Sequence, residues 1–234
     1  MTDHRTGSRQ AAQAQSRTES QPQPQPRSQP KSHSHSRSHS HSQTQTQTQT
    51  QTQENDVTTG ATVWLTGLPS AGKTTIAHEL AGRLRAGGRR VEVLDGDEIR
   101  EFISAGLGFS REDRHTNVQR IGFVAELLSR NGVLTLVPVI APYADSRHAV
   151  RGRHEENATP YLEVHVATPV EVCSVRDVKG LYAKQAAGEL SGLTGVDDPY
   201  EEPASPELRI ESQHQTVQES AAAVSALLSE RGLI

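Results

Sequence analysis

A lysine and two hydroxyls close a glycine-bounded loop in GLPSAGKTT, residues 67–75. Gly67, Gly72, Lys73 and Thr74 fit the pattern G-x-x-x-x-G-K-[ST], whose chemistry is phosphate binding. Glycines let such a loop curl until its N–H groups point inward at phosphate oxygens. A helix that begins at the lysine adds the positive end of its dipole. Lys73 then sets a charge against the β- and γ-phosphates, and the Thr74 hydroxyl can hold Mg²⁺. The pattern specifies a nucleotide without specifying a reaction.

Three more stretches carry groups that could act on such a nucleotide. In LDGDEIR (94–100), Asp95 and Asp97 flank a glycine. One can position Mg²⁺ or its waters, and the other can accept the proton of an attacking hydroxyl. The apolar run 133–140 ends in PVIAPY, with no aspartate, so Asp95 and Asp97 are the better metal and base candidates. In LGFSREDRHTNVQRIG (107–122), Phe109 offers a ring in a polar loop, and Arg114 and Asn117 lie one helical turn apart. Together they suit a purine platform with a polar clamp. The glycine-punctuated segment 176–203, RDVKGLYAKQAAGELSGLTGVDDPYEEP, reads as a mobile lid. Arg176 and Lys179 would be its cations for phosphate or sulfate.

These groups need a frame, and the pattern of apolar residues supplies one. Strands are predicted at 61–66, 90–95, 133–140, 161–166 and 207–211. Several are almost continuously apolar and rich in β-branched residues, as in a parallel sheet covered on both faces. Helices are predicted at 73–87, 97–105, 111–130, 145–157, 169–176, 180–188 and 216–230. Strand and helix alternate, so the fold class is α/β: a three-layer P-loop-type fold with a mostly parallel sheet of five strands. Ligands in such sheets bind beyond the carboxyl ends of the strands, where every stretch above falls.

The frame occupies only part of the 234 residues. Residues 1–56 are rich in Gln, Ser, Thr and His and nearly devoid of apolar side chains, which cannot offset chain entropy by burial. They are expected to be a disordered tail, and 57–234 a single domain. The tail's His33, His35, His39 and His41 alternate along the chain and define no shaped metal site. Six cations against four carboxylates leave the tail at +2, so the domain holds about −6 of a total of −4. That balance argues against nucleic acid as a partner. Cys173 is the single cysteine, which fits a reducing, cytoplasmic setting. No apolar run is long enough to span a membrane.

Residues 57–234 resemble the adenylylsulfate kinase (APS kinase) family through GLPSAGKTT, LDGDEIR, LGFSREDRHTNVQRIG, IAPY, RDVKGLY and GLTGVDDPYEEP, in that order. The resemblance implies transfer of the ATP γ-phosphate to the ribose 3′-hydroxyl of adenosine 5′-phosphosulfate (APS), with Mg²⁺, giving PAPS and ADP. ATP contacts carry over to Gly67, Leu68, Pro69, Ser70, Ala71, Gly72, Lys73, Thr74 and Thr75, with Arg176 near the adenine. Metal contacts fall to Thr74 and Asp95. APS contacts carry over to Asp97, Arg100, Phe109, Arg114, Asn117, Ile140, Ala141, Lys179, Gly192 and Leu193, with Lys73 and Asp97 catalytic. Family members commonly dimerise, which sets the expectation of a homodimer, with an ATP sulfurylase as a candidate partner.

Three positions depart from the family pattern. Ala141 stands where members often carry a serine labelled as phosphoryl-carrying, so no such intermediate can form there. Gln119 replaces an arginine, removing a cation from the APS side. Leu193 replaces a phenylalanine, so the purine would rest on Phe109 and an aliphatic chain. Another P-loop kinase with a retuned acceptor pocket, or a weakly active nucleotide-binding paralogue, are the alternatives these departures define.

Overall fold

A computed structural model describes residues 59–234, apart from the side chain of Asp97. The expectation of a disordered tail falls on residues outside that range. The elements run β1 (Ala61–Thr66), α1 (Lys73–Ala86), β2 (Val91–Val93), α2 (Gly96–Phe102), α3 (Arg111–Ser129), β3 (Leu134–Pro138), α4 (Ala144–Glu156), β4 (Tyr161–Val166), α5 (Val170–Arg176), α6 (Leu181–Ala186), β5 (Leu208–Ile210) and α7 (Val217–Glu230). All five strands are parallel, in the order β2-β3-β1-β4-β5.

Alternation along β1 sorts the two faces. Ala61, Val63 and Leu65 join α1 (Ile76, Ala77, Leu80, Ala81) and α7 (Ala221, Val224, Leu228) in one core. Trp64 turns the other way, to Ile121 and Ala125 of α3 and Val150 of α4. A sheet buried on both sides is thereby sandwiched between two helical layers, as its unbroken apolar runs require. The second face is more polar than its sequence suggests. Thr62 bonds to Ser129 (2.8 Å) and His154 (2.9 Å), and the buried Arg147–Glu163 pair, 2.8 Å apart, ties α4 to β4.

The order places β1 centrally, with β3 on one side and β4 on the other. The crossover to β2 goes over one edge and that to β5 over the other. The crevice at the carboxyl ends of β1 and β3 therefore opens between the P-loop and the chain leaving β2 and β3.

Candidate active site

The loop between β1 and α1 is held in a shape that few residue types can adopt. A Cβ on Gly67 would lie 2.5 Å from the carbonyl oxygen of Val166, so β4 packs directly against it. Gly72 caps α1 at φ 104°, a left-handed conformation that favours glycine. Lys73, the first helical residue, is only 8 % exposed. Its Nζ donates to the carbonyls of Gly67 (2.8 Å) and Leu68 (2.7 Å). Burial lowers the ammonium to about 7 from its usual 10.5, with Cys173 and Asp95 opposing and Lys179 assisting the fall. A phosphate placed beside it would restore the charge.

A cleft of about 700 Å³ lies over this loop. Pro69 to Thr75 form its floor, and Asp95 and Gly96 one rim. Arg100, Phe109, Arg114 and Asn117 line the α2–α3 side, Ile140, Ala141 and Pro142 the end of β3, and Arg176 and Lys179 the α5–α6 side. Residues spread over more than a hundred positions thus converge on one space. Asp97 is the second residue of α2, and its side chain lies outside the described residues.

The individual placements refine the sequence-based roles. Phe109 is 64 % exposed, with the Arg100 guanidinium 4.6 Å from its ring centre. Asn117 Oδ1 is buried without a hydrogen-bond partner, an acceptor left for a ligand. Thr66 Oγ1 donates to Ile140 O at 2.6 Å, fixing the turn after β3. Ala141 sits at φ 43°, a conformation uncommon for a residue with a Cβ, and its carbonyl accepts from Arg147. Thr74, exposed, and Asp95 present hard oxygen atoms to the cleft. Among the described residues no group of three His, Cys, Asp or Glu could cage a metal. Such a donor set fits Mg²⁺, which keeps waters and phosphate oxygens rather than a full protein shell.

Three expectations meet different surroundings. Leu193 is 5 % exposed, belongs to the core with α1 and β4, and is not among the residues that line the cleft. Gln119 Nε2 donates to Ser146 O at 3.0 Å and joins α3 to α4, away from the cleft lining. Gly192 contributes a carbonyl to Arg114 Nη2 (2.6 Å) rather than a wall of the cleft.

Segment 177–203 divides into two parts. The second is strapped down. Arg114, 8 % exposed, donates to Phe109 O (2.8 Å), Thr194 Oγ1 (2.7 Å) and Gly192 O. Asp197 accepts from the N–H groups of Gly192 and Leu193, which hold its carboxyl below the usual range. Tyr143 donates to Asp198, and Tyr200 meets Thr66 at 3.0 Å. The first part leans on the P-loop: Tyr182 donates to Pro69 O (3.1 Å), and Val178 N to Ser70 Oγ (3.3 Å). Composition did not reveal these ties. Nor did it reveal that Ser212, Gln215, Thr216 and Val217, beyond β5, line the same cleft. Their place past a carboxyl strand end was the available signal.

Fold and cleft define a P-loop kinase: a donor site built on the loop after β1, and a facing acceptor site built on the chain after β2 and β3. A family model described as adenylylsulphate kinase matches residues 59–211. The chain is 51 % identical over 175 residues to the adenylyl-sulfate kinase of Rippkaea orientalis, covering 75 % of this chain and 94 % of that one. It is 50 % identical over 175 residues to that of a Picosynechococcus species, covering 75 % and 97 %. The structure of the Mycobacterium tuberculosis APS kinase CysC in complex with AMPPNP and APS is similar at TM-score 0.71 and 42 % identity, over 73 % of this chain and 98 % of that one. The chain belongs to the adenylylsulphate kinase family. No helix among the described residues is long and apolar enough to cross a membrane.

Proposed function

We propose that the protein transfers the γ-phosphate of ATP to the ribose 3′-hydroxyl of APS, yielding PAPS and ADP. The observation that carries this reading is the single cleft in which P-loop residues 69–75 face Arg100, Phe109, Arg114, Asn117, Ile140 and Lys179. Similarity to an APS kinase whose structure holds AMPPNP and APS supports the same substrates here.

On the donor side, loop N–H groups and the start of α1 hold the phosphates. Arg176 and residues 215–217, which line the same cleft, take the adenine end in this reading. Lys73 acts where charge grows on the transferred group, in a site dry enough to depress its own pKa. On the acceptor side, Phe109 offers its exposed ring to the purine, and Asn117 Oδ1 accepts from the nucleotide. Arg100 and Lys179 lie where phosphate and sulfate charge would fall. Asp97, at the start of α2, orients the 3′-hydroxyl and takes its proton. Thr74 and Asp95 would hold Mg²⁺, which when bound supplies charge neutralisation to the phosphates. Ala141 has no hydroxyl, so transfer is direct, and positioning of the two substrates supplies the catalysis a covalent step would otherwise provide.

This reading carries with it a role in sulfate assimilation, a cytoplasmic homodimer, and an ATP sulfurylase as the source of the acceptor. Purified protein with Mg-ATP and APS, with PAPS measured against an ATP-only control, tests it. PAPS formation is expected. ATP turnover without PAPS would favour a different acceptor. Sedimentation of the purified protein at monomer mass would remove the homodimer.

A further inference from the structure

The carbonyl oxygen of Ala71 is held from outside the P-loop. Thr168 Oγ1, from the β4–α5 connection, lies 2.9 Å from it. Ser212 Oγ, from the segment after β5, also lies 2.9 Å from it, and Arg176 Nη1 donates to it at 3.3 Å. The two hydroxyls are 2.7 Å apart, and Arg176 Nη1 donates to Ser212 Oγ at 3.0 Å. Two hydroxyl protons can fill only two of the three oxygen–oxygen contacts at once, and in every such arrangement at least one hydroxyl donates to the Ala71 carbonyl while the arginine N–H polarises the set.

The peptide so gripped is the one between Ala71 and Gly72. In a trans peptide the C=O and N–H point in opposite directions. Anchoring the carbonyl against Thr168 and Ser212 therefore aims the Gly72 N–H away from them, toward the phosphate side of the loop. This orientation is not secured locally. Glycine accepts either sign of φ, so rotating the 71–72 peptide costs little at Gly72 itself. A rotated peptide would turn a carbonyl dipole, in place of an N–H, toward the nucleotide phosphates. Thr168 is 3 % exposed, so its hydroxyl has little water to fall back on.

We propose that Thr168 and Ser212 are positioning residues for phosphoryl transfer: their hydroxyls fix the Ala71–Gly72 peptide so that the Gly72 N–H serves the nucleotide phosphates. The proposal rests on the assignment of ATP to the P-loop. Because Arg176 joins the same bonds, the clamp also links the adenine end of the site to its phosphate end.

Thr168→Val keeps the side-chain shape and removes the hydroxyl; Ser212→Ala removes the other; Thr168→Ser restores the hydroxyl alone. ADP affinity is read by calorimetry, and KM for ATP and for APS by steady-state kinetics. Loss of a bond that serves a charged ligand predicts roughly five- to fiftyfold weaker ADP binding and a matching rise in KM for ATP for Thr168→Val, more for the double variant. KM for APS should stay within about twofold, and Thr168→Ser should recover most of the loss. ADP affinity unchanged in the double variant would overturn the clamp. So would a Thr168→Ser variant as impaired as Thr168→Val, or an equal rise in KM for APS, each of which marks packing rather than aim. A wild-type protein that binds no ADP would overturn the nucleotide assignment itself, and the clamp with it.

Discussion

Lys73 is a cation kept almost dry, and its behaviour should follow from that. Lys73→Ala removes charge from where it grows in the transition state, so kcat should fall by ~10²–10³-fold or more. Thermal stability should not fall with it, because burying the amine already disfavours its charged form. Turnover near wild type would sink the P-loop assignment. The pKa near 7 gives a second outcome. Nucleotide phosphates raise that value, so the complex binds more protons than the free protein above pH 7, and ADP affinity should fall as pH rises through that region. Calorimetry in buffers of different ionisation heat should show proton uptake that Lys73→Ala abolishes. The folded chain also holds fewer protons than the unfolded between about 7 and 10.5, so Lys73 makes stability rise with pH across that window. Phe109 is the complementary case on the acceptor side. Its ring is solvent-exposed, and stacking is worth roughly 1–3 kcal/mol per base, so Phe109→Ala should raise KM for APS about 5–150-fold. KM for ATP should stay nearly constant; a rise there instead would mean that the two nucleotide sites are exchanged.

At the scale of elements, the segment 192–201 is the part whose role changed most between sequence and structure. Leu193 follows a glycine in a polar stretch, and only the folded chain places it in the buried core that includes α1 and β4. Leu193→Phe should therefore overpack that core and cost about 1–3 kcal/mol, read as a lower denaturation midpoint, without improving KM for APS. A lower KM for APS at unchanged stability would return Leu193 to the purine pocket. The difference between what was legible and what was not follows contact range. β1 is buried at all six residues and reads as an apolar run, while α3, expected over 111–130, forms over Arg111–Ser129 with Ser110 as its cap. Strand β2 was expected over 90–95 and forms over 91–93, because it is an edge strand pairing with β3 alone. The P-loop, too, is a local pattern. The Arg114 strap and the Thr168 clamp are not: the bond from Arg114 to Gly192 spans 78 positions and that from Thr168 to Ala71 spans 97, and no spacing rule connects them. The buried Arg147–Glu163 pair was equally hidden, since each residue alone reads as a surface charge.

For the molecule as a whole, catalysis should reside in 57–234. Every described cleft residue lies there, and the family match begins at residue 59. The Rippkaea relative is matched over 94 % of its own length by 175 residues of this chain. Residues 1–56 contribute no group to the chemistry above, and their sequence lacks the apolar side chains that would dock them onto a core. Their one general contribution is charge. They carry +2, so a chain trimmed to 57–234 moves from −4 to about −6 and repels its anionic substrates slightly more. That effect acts on encounter, and at physiological salt the screening length of about 8 Å confines it. The trimmed chain should therefore keep kcat, and kcat/KM for APS should drop by no more than about twofold at low salt, a gap that closes as salt is added. Steady-state rates of both chains across an ionic-strength series make the measurement. A loss beyond about tenfold, or about 1.4 kcal/mol, that persists at high salt would mean that the tail reaches the site through specific contacts rather than through charge.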